Sequence, residues 1–238
     1  MKIALVGYGK MGHAIEEIAV KKGHEIVLKI NIDNTDEMTL ENLQKADVAI
    51  EFTGPESAVE NLLKCFEAGV PVVCGSTGWL SKWAEIKNDC NKNGGSLVYA
   101  SNYSIGVNLF FELNSYLSKL MKDYEEYNVK LEEIHHTQKR DAPSGTAITL
   151  AEQILQNVTR KKQWVNQHSD NKEELEIISE RIDPAPGTHK IKYTSSIDDI
   201  EIIHTAHNRI GFAGGAVRAA EFLNGKKGIF NMKDVLGL

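Results

Sequence analysis

The 238-residue chain has few cysteines and no long apolar run. Its three cysteines, Cys65, Cys74 and Cys90, form no C-x-x-C pair and do not show the spacing of metal ligands. This usage predicts unpaired thiols in a reducing compartment rather than a disulfide framework. No apolar run approaches the roughly 18 residues of a membrane span. The N-terminus also lacks the apolar segment and cleavage site of a signal peptide, so we expect a cytoplasmic protein without a membrane partner.

An excess of basic residues is also missing. The chain has 27 Lys and Arg against 33 Asp and Glu, a formal net charge of -6. A general nucleic-acid-binding protein normally carries a basic surface, so this class is disfavoured, although a small basic pocket for anions is compatible with the charge. The hydrophobic content of 42% is ordinary and allows a sizeable core in one large or two modest domains.

The N-terminal part alternates short apolar runs with amphipathic helical patterns. The predicted strands cover 3–6, 25–30, 48–52, 70–74 and 97–100. Helical spacing predicts a helix from Met11 that Gly23 ends, a second that begins at Pro55, and a third over 81–93. This alternation requires crossover connections and predicts a parallel sheet.

A different pattern follows residue 104. Helices are predicted over 107–121, 144–158 and 213–223, and strands over 129–135, 175–181, 190–194 and 199–205. The polar stretch 160–172 is predicted to be a loop. Because several strands follow one another without helices, this part predicts an antiparallel or mixed sheet, hence a second domain.

A glycine motif directly after the first predicted strand indicates a dinucleotide site. It consists of Gly7, Tyr8, Gly9, Lys10, Met11 and Gly12, which together read G-x-G-x-x-G. The glycines allow a tight turn and let the backbone approach a pyrophosphate, whose charge then lies at the helix N-terminus. The alternative is a glycine-rich turn that only packs the helix onto the sheet. We predict an α/β fold: a Rossmann-type parallel sheet in 1–104, completed by 209–238, and an α+β domain with a mixed sheet in 105–208.

The residues after the second strand bear on the choice of cofactor. Asp33 lies at the distance expected for the acid that binds the adenosine ribose, with Asn31 as the alternative. No arginine lies between Gly12 and Gly54 to bind a 2′-phosphate, and Lys29 is the only cation near the end of that strand. The sequence therefore favours NADH or the use of both NADH and NADPH.

Further strand ends point to the same crevice. Loops 52–55 and 75–78 follow the third and fourth strands, and ligands bind outside the carboxyl ends of parallel strands. We expect both loops near the nicotinamide, although plain turns would give the same composition. Residues 99–102 end the last strand before the second domain, where we expect a hinge.

The densest chemistry lies in residues 133–147. His135 and His136 end a predicted strand, so their side chains start on opposite faces, and imidazoles are suited to proton transfer. Lys139 and Arg140 add cationic donors for carboxylates. A helix then begins at 143–146, where Ser144 or Thr146 can cap it and backbone N–H groups form an anion site.

This combination predicts a small dianionic substrate that receives a proton. Adjacent histidines rarely chelate one ion, and no third ligand has suitable spacing, so we predict no metal. Taken separately, the two cations would usually be solvated charges, and the Ser-Gly-Thr segment would be a helix cap.

The block from His135 to Ala147 closely resembles the signature of dihydrodipicolinate reductases, the 4-hydroxy-tetrahydrodipicolinate reductases of diaminopimelate and lysine biosynthesis. The resemblance spans nearly the whole chain and includes the glycine loop, in a form one residue shorter, and the segments 52–53, 75–78, 101–108 and 212–218. It implies an NAD(P)H-dependent oxidoreductase, a homotetramer, and oligomer contacts in 105–208.

The resemblance also implies roles for individual residues. His135 would be the proton donor or acceptor, Lys139 the catalytic proton donor, and His136 a substrate contact. The amides of Gly145 and Thr146 would hold a substrate carboxylate, with Arg209 nearby. The nicotinamide would be lined by Gly75, Ser76, Thr77, Ala100, Ser101, Asn102 and Tyr103.

Two segments depart from the family pattern. Residues 181–189 keep Gly187 and His189 but contain Pro184 and Pro186 where the family has a glycine-rich interface segment. The region after the second strand lacks the family's acid-then-arginine pair. The alternatives are another two-domain NAD(P)-dependent dehydrogenase acting on a small carboxylate, and a non-catalytic NAD-binding sensor.

Overall fold

The chain folds into two units, each with its own sheet. A computed structural model describes residues 1–208 and 210–238. The first unit comprises Met1–Ile105 and Ile210–Leu238, and the second comprises Gly106–Arg209. These bounds lie one residue from the predicted ones, and the functions assigned to the segments stay predictions. Among the described residues, no helix combines the length and apolarity needed to cross a membrane.

The first unit is built on a six-stranded parallel sheet. Its strands are β1 (Lys2–Val6), β2 (Glu25–Ile30), β3 (Val48–Glu51), β4 (Val72–Cys74), β5 (Ser96–Tyr99) and β11 (Gly228–Phe230). Their order is β11-β5-β4-β3-β1-β2, and every pairing is parallel. The order reverses between β1 and β3, and this switch point creates a crevice at the carboxyl ends of the two strands.

Helices cover both faces of this sheet. One face carries α1 (Lys10–Lys21), α7 (Ile210–Leu223) and α8 (Met232–Leu236), and the other carries α2 (Leu40–Leu43), α3 (Pro55–Glu67) and α4 (Trp83–Lys92). Ile3 and Leu5 of β1 pack towards the first group, whereas Ala4 and Val6 pack towards the second. Burial on both faces explains why the strand is apolar throughout. The three cysteines are buried and unpaired, as the sequence predicts.

The second unit contains a five-stranded mixed sheet. Its strands are β6 (Asn128–His135), β7 (Gln163–Val165), β8 (Glu174–Arg181), β9 (Gly187–Thr194) and β10 (Asp199–Ala206), in the order β10-β9-β6-β8-β7. β6 pairs antiparallel with β9 and parallel with β8. The helices are α5 (Ile105–Leu120), which begins at the unit boundary, and α6 (Gly145–Asn157). The predicted fold class is therefore confirmed.

One predicted loop contains a strand. β7 lies within 160–172, where it pairs with β8, so the loop prediction was wrong for these three residues. Trp164 packs against the core of the unit, whereas Gln163 is exposed. A strand this short gives no detectable periodicity, and only the neighbouring strand defines it.

One face of the second sheet changes from apolar to polar along its strands. Val129 and Leu131 of β6 lie in the core together with Ile191 of β9. Further along the same face of β6 come Glu133 and His135, which are also buried. The buried end of this face is therefore lined with titratable groups.

Candidate active site

The glycine loop of the first unit is a tight turn between β1 and α1. Gly7 has φ +99°, and a Cβ there would lie 2.2 Å from the carbonyl oxygen of Phe52. A Cβ on Gly12 would lie 2.7 Å from the carbonyl oxygen of Gly7. The N–H groups of Gly7 and Tyr8 donate to the carbonyl of Ile30 at 2.9 and 2.7 Å. Glycine is therefore required for the close packing of the loop.

A cavity of about 960 Å³ opens beside this loop. Its lining includes Gly7, Tyr8 and Gly9 of the loop, together with Asn31 and Asp33 after β2. Phe52, Thr53 and Gly54, after β3, close another side. A concave site of this size at the switch point is suited to a nucleotide.

The two candidates for the ribose contact differ in their surroundings. The side-chain oxygen of Asn31 accepts a hydrogen bond from the backbone N–H of Asp33 at 2.7 Å. Asp33 is exposed at the wall of the cavity. Since the Asn31 oxygen already serves the turn, the geometry favours Asp33.

The cation near the end of β2 is paired. Lys29 Nζ lies 2.6 Å from Glu16 Oε1 and 4.8 Å from the centre of the Tyr8 ring. The Tyr8 hydroxyl also donates to Glu16. The hydrogen bond to Glu16 raises the pKa of Lys29, and the bond from Lys29 lowers the pKa of Glu16. Lys29 therefore belongs to an ion pair at the base of the loop.

A buried glutamate joins the loops that follow β3 and β4. Glu51, with no exposed surface, accepts hydrogen bonds from the Thr53 backbone N–H and the Ser76 hydroxyl, both at 3.0 Å. The predicted nicotinamide residue Ser76 thus turns its hydroxyl inward. At Gly75, a Cβ would lie 2.2 Å from the Phe52 ring. Glu51 could not be singled out from the sequence, because a buried acid at a strand end shows no distinctive spacing.

The segment after β5 ends at Tyr103, whose side chain is not exposed to a ligand. The Tyr103 ring is buried in the core of the first unit, and its hydroxyl donates to the carbonyl of Cys74 at 2.8 Å. Tyr103 can therefore offer a ligand only backbone atoms. Ser101 is exposed, and Ala100 and Asn102 are half-buried. The nicotinamide roles of Thr77 and of these residues stay predictions, as do the loop roles of Lys10 and Met11.

In the second unit, the predicted proton-transfer histidine lies in a buried polar cluster. His135 is the last residue of β6 and is 7% exposed. Its Nδ1 lies 3.4 Å from Glu133 Oε2, and its ring centre lies 5.1 Å from that of His189. A Cβ on Gly187 would lie 3.1 Å from His135 Nε2, so this glycine leaves room for the imidazole.

Burial determines the protonation of His135. It lowers the pKa of the imidazole to about 4, although the Glu133 carboxylate acts in the opposite direction. Near neutral pH the ring is therefore uncharged, and it can accept a proton but is not a stored source of one.

This pKa predicts acid-induced destabilisation. The ordinary pKa of histidine is 6.5, and above this pH the uncharged His135 contributes fully to the free energy of unfolding. This contribution is lost as the pH falls towards about 4, the pKa of His135 in the folded protein. When the pH is lowered from about 7 to about 5, the unfolding free energy of the wild type should fall by about 2 kcal/mol more than that of the His135→Gln variant. Urea unfolding at both pH values measures this, with the exposed His168→Gln as control. Equal losses in wild type and His135→Gln would contradict the assignment.

Glu133 connects the strands to the start of α6. Its carboxylate accepts hydrogen bonds from the Ser144 backbone N–H at 3.0 and 3.2 Å and from the Ser179 hydroxyl at 2.8 Å. Burial alone would raise the pKa of Glu133, but the nearby His189 imidazole and the hydrogen bonds from Ser144 and Ser179 outweigh it and hold the pKa well below its usual range. The carboxylate is therefore ionised.

The predicted catalytic lysine is paired within its own loop. Lys139 Nζ donates to both carboxylate oxygens of Asp141, at 2.7 and 2.8 Å. Arg181 binds the same loop through the carbonyls of Lys139 and Asp141, at 3.3 and 2.5 Å. The ammonium group is thus held near the surface, where an anionic ligand can compete with Asp141 for it.

The predicted substrate residues lie at a small cavity and at a helix start. His136 lines a cavity of about 280 Å³ with Gln138, Asp183, Pro184, Pro186 and Asn208. Ser144 caps α6 by accepting a hydrogen bond from the Ala147 N–H at 3.2 Å. Gly145 and Thr146 form the first turn of α6, where backbone N–H groups and the helix dipole favour an anion. Arg209 lies outside the described residues.

Sequence analysis missed four members of this cluster: Glu133 as a functional group, Asp141, Arg181 and His189. The last two lie on other strands, and only the sheet brings them to His135. Glu133, His135 and His189 place one potential ligand atom each within 4.8 Å of one another. The Arg181 guanidinium lies 3.3 Å from the Glu133 carboxylate, and its positive charge opposes a cation there. The absence of a metal stays our prediction.

Known proteins resemble the chain over both of its units. Residues 1–103 match the family model "Dihydrodipicolinate reductase, N-terminus", and residues 106–236 match "Dihydrodipicolinate reductase, C-terminus". A 4-hydroxy-tetrahydrodipicolinate reductase of Christiangramia forsetii is 50% identical over 99% of this chain and 98% of its own length. One from Neisseria gonorrhoeae is 35% identical over 94% of this chain and 84% of its own length.

A solved structure shows the same fold. The dipicolinate-bound dihydrodipicolinate reductase from Paenisporosarcina sp. TG-14 aligns with a TM-score of 0.79, at 21% identity, over 98% of both chains. Both halves of the family model and full-length relatives therefore match this chain. The chain belongs to the dihydrodipicolinate reductase family of pyridine-nucleotide-dependent oxidoreductases.

Proposed function

We propose that the protein reduces 4-hydroxy-tetrahydrodipicolinate to tetrahydrodipicolinate in diaminopimelate and lysine biosynthesis. The observation that carries this proposal is the cluster in the second unit: a buried neutral histidine, an ammonium group and the N-terminus of α6. These groups suit a dianionic substrate that accepts a proton. The name of the Christiangramia forsetii relative agrees with this substrate.

The residues divide the work between the two units. The 4-hydroxyl of the substrate leaves as water, and NADH, when bound along the glycine loop of the first unit, would supply the hydride for the ring carbon that carried it. In the second unit, the neutral His135 would accept the ring proton removed in the loss of water and pass it to the leaving hydroxyl, and Lys139 would donate a proton to the neighbouring carbon after hydride transfer. The N–H groups of Gly145 and Thr146 hold one carboxylate, and His136 and Arg209 contact the substrate.

A coupled assay tests the reaction. The substrate is made freshly from pyruvate and aspartate semialdehyde by the preceding synthase, and the absorbance of the reduced cofactor is followed. We expect oxidation that requires the synthase product. A protein that binds NADH but oxidises none of it under these conditions would contradict the proposed substrate.

We further propose that NADH is preferred over NADPH. The cavity wall includes the acids Asp33, Asp36, Glu56 and Glu60, with Lys64 as a cation, and Lys29 is paired with Glu16. A carboxylate at Asp33 accepts a hydrogen bond from a ribose 2′-hydroxyl and repels a 2′-phosphate. The charge of this wall therefore favours the nucleotide without the phosphate.

This preference gives a quantitative expectation. The ratio of kcat/KM for NADH to that for NADPH should exceed about 10 in the wild type, and Asp33→Ala should lower kcat/KM for NADH by about 10-fold and reduce that ratio. Steady-state kinetics with both cofactors measure this. The control is Asp170→Ala, which removes an exposed carboxylate from the other unit. If Asp33→Ala left the ratio of kcat/KM for NADH to that for NADPH unchanged, residues other than Asp33 would be responsible for the choice of cofactor.

We also propose that the protein is a homotetramer assembled through the second unit, as the resemblance implies. Exposed apolar side chains occur there: Leu113 and Tyr116 lie on α5 and Ile203 on β10. Such residues are typical of subunit contacts. Light scattering should give about four times the 26.4 kDa of one chain, and a mass of one chain would contradict the assembly.

We also propose that the protein is cytoplasmic. Cys65, Cys74 and Cys90 are buried as free thiols, which suits a reducing compartment. Fractionation of cells that express the full chain tests this location, and recovery from the periplasmic or membrane fraction would contradict it.

A further inference from the structure

We propose that Glu133 is the positioning residue that fixes His135, the loop of Lys139 and the first turn of α6 in one arrangement. The inference rests on the proposed function, because it assigns the proton transfer to His135 and Lys139. Glu133 itself is buried below these groups and acts on the substrate through them.

The sheet fixes Glu133 from both sides. In the register, Glu133 of β6 is opposite His189 on β9 and Ser179 on β8. Its oxygens lie 3.6 Å from His189 Nε2 and 2.8 Å from the Ser179 hydroxyl, and no part of the residue is exposed. The carboxylate therefore has a defined place in the core of the second unit.

From this place Glu133 holds the start of α6. Both of its oxygens accept a hydrogen bond from the Ser144 backbone N–H. Ser144 is the cap of α6, so its position determines where the N–H groups of Gly145 and Thr146 point. Hydrogen bonds to an ionised acceptor are stronger than neutral ones, which suits a fixed contact.

The second connection runs through Arg181. Its Nη2 lies 3.3 Å from Glu133 Oε1 and 2.5 Å from the carbonyl of Asp141, and its Nε lies 3.3 Å from the carbonyl of Lys139. One guanidinium thus joins the buried carboxylate to both ends of the segment that carries the ammonium group. A lysine at this position could not make these contacts simultaneously.

The third connection is electrostatic. Glu133 Oε2 lies 3.4 Å from His135 Nδ1, on the face shared by both residues. When His135 accepts a proton, this carboxylate stabilises the imidazolium in a site that otherwise disfavours charge. One carboxylate thus supports the proton acceptor, the proton donor's loop and the anion site.

The test compares Glu133→Gln with Glu132→Gln. Glu132 directly precedes Glu133 in β6, lies on the opposite face and is exposed, so the same chemical change is made outside the cluster. The readouts are kcat, the KM of the substrate, the Kd of NADH, and the Kd of dipicolinate, the compound bound in the Paenisporosarcina structure.

For Glu133→Gln we expect kcat to fall about 30-fold and the Kd of dipicolinate to rise about 10-fold, with the Kd of NADH within about twofold of wild type. Glu132→Gln should match the wild type throughout. If Glu133 had a purely structural role, Glu133→Gln would weaken the binding of NADH and of dipicolinate together. Alternatively, it would lower the stability without changing the ratio of the affinity for dipicolinate to that for NADH. Wild-type kcat and dipicolinate affinity in Glu133→Gln would overturn the proposal.

Arg181→Lys provides a second test if the buried substitution prevents folding. Arg181 is partly exposed, and the lysine variant keeps the positive charge but loses the planar guanidinium group with its several N–H donors. We expect kcat to fall about 10-fold, and unchanged kinetics would overturn the proposal.

If wild type itself oxidises no NADH with the synthase product, the proposed function fails. The dipicolinate affinities of the two variants then decide the positioning role separately.

Discussion

Replacing His135 or Lys139 by alanine is expected to lower kcat by about 100-fold or more and to leave NADH binding intact. His135→Ala removes the neutral imidazole next to Glu133, and Lys139→Ala removes the ammonium group that Asp141 holds. Both residues belong to the second unit, whereas the glycine loop and its cavity belong to the first. The loss should therefore appear in the chemical step and not in the affinity for the cofactor.

The measurement combines steady-state kinetics with titration of NADH by fluorescence. Matched controls are His168→Ala and Lys172→Ala, which change exposed residues of the same type in the same unit. They should keep kcat within about twofold of wild type. Wild-type turnover in His135→Ala or in Lys139→Ala would remove the role assigned to that residue.

Substituting Gly12 is expected to abolish most of the affinity for the dinucleotide. A Cβ at Gly12 would lie 2.7 Å from the carbonyl oxygen of Gly7 and 3.3 Å from the Tyr8 ring, so the added atoms clash with the loop itself. The loop cannot yield easily, because Gly7 is held between Ile30 and Phe52. We expect NADH to bind about 10-fold more weakly to Gly12→Ala and about 100-fold more weakly to Gly12→Val.

The control for Gly12 is a helical glycine of the same unit. A Cβ on Gly214 in α7 would lie 3.9 Å from Ile18 Cδ1, an ordinary van der Waals contact, so Gly214→Ala should bind NADH like the wild type. Thermal unfolding of both variants separates a local change of the loop from a general loss of stability. Unchanged NADH affinity in Gly12→Val would contradict the loop assignment.

The parts of the protein that the sequence predicted well depend on residues close together in the chain. The turn from Gly7 to Gly12 needs glycine for local steric reasons, and the cap at Ser144 is a contact between residues three apart. Strand and helix periodicity gave the parallel sheet and the mixed sheet because each element buries its own apolar face. Short β7, defined by pairing with β8, was missed.

The direction in which individual side chains point could not be predicted from the sequence. Lys29 stood out as the cation near the end of β2, but the structure shows that Glu16 and Tyr8 surround it. The family resemblance placed Tyr103 beside the nicotinamide, and its ring is buried in the core, so only its backbone is left for that predicted role. Both outcomes depend on which way a side chain turns, and neighbours distant in sequence decide this.

The sequence by itself determined the family, the two-domain α/β fold and the local motifs that are predicted to bind dinucleotide and substrate, because these depend on short-range spacing and glycine sterics. Only the tertiary structure decided which residues from other strands contact these motifs and hold them in place. Glu133, Ser179 and His189 meet through strand register, and Arg181 reaches the Lys139 loop across the sheet. A buried charge is stable only when its partners surround it, and those partners come from strands whose order the sequence does not state.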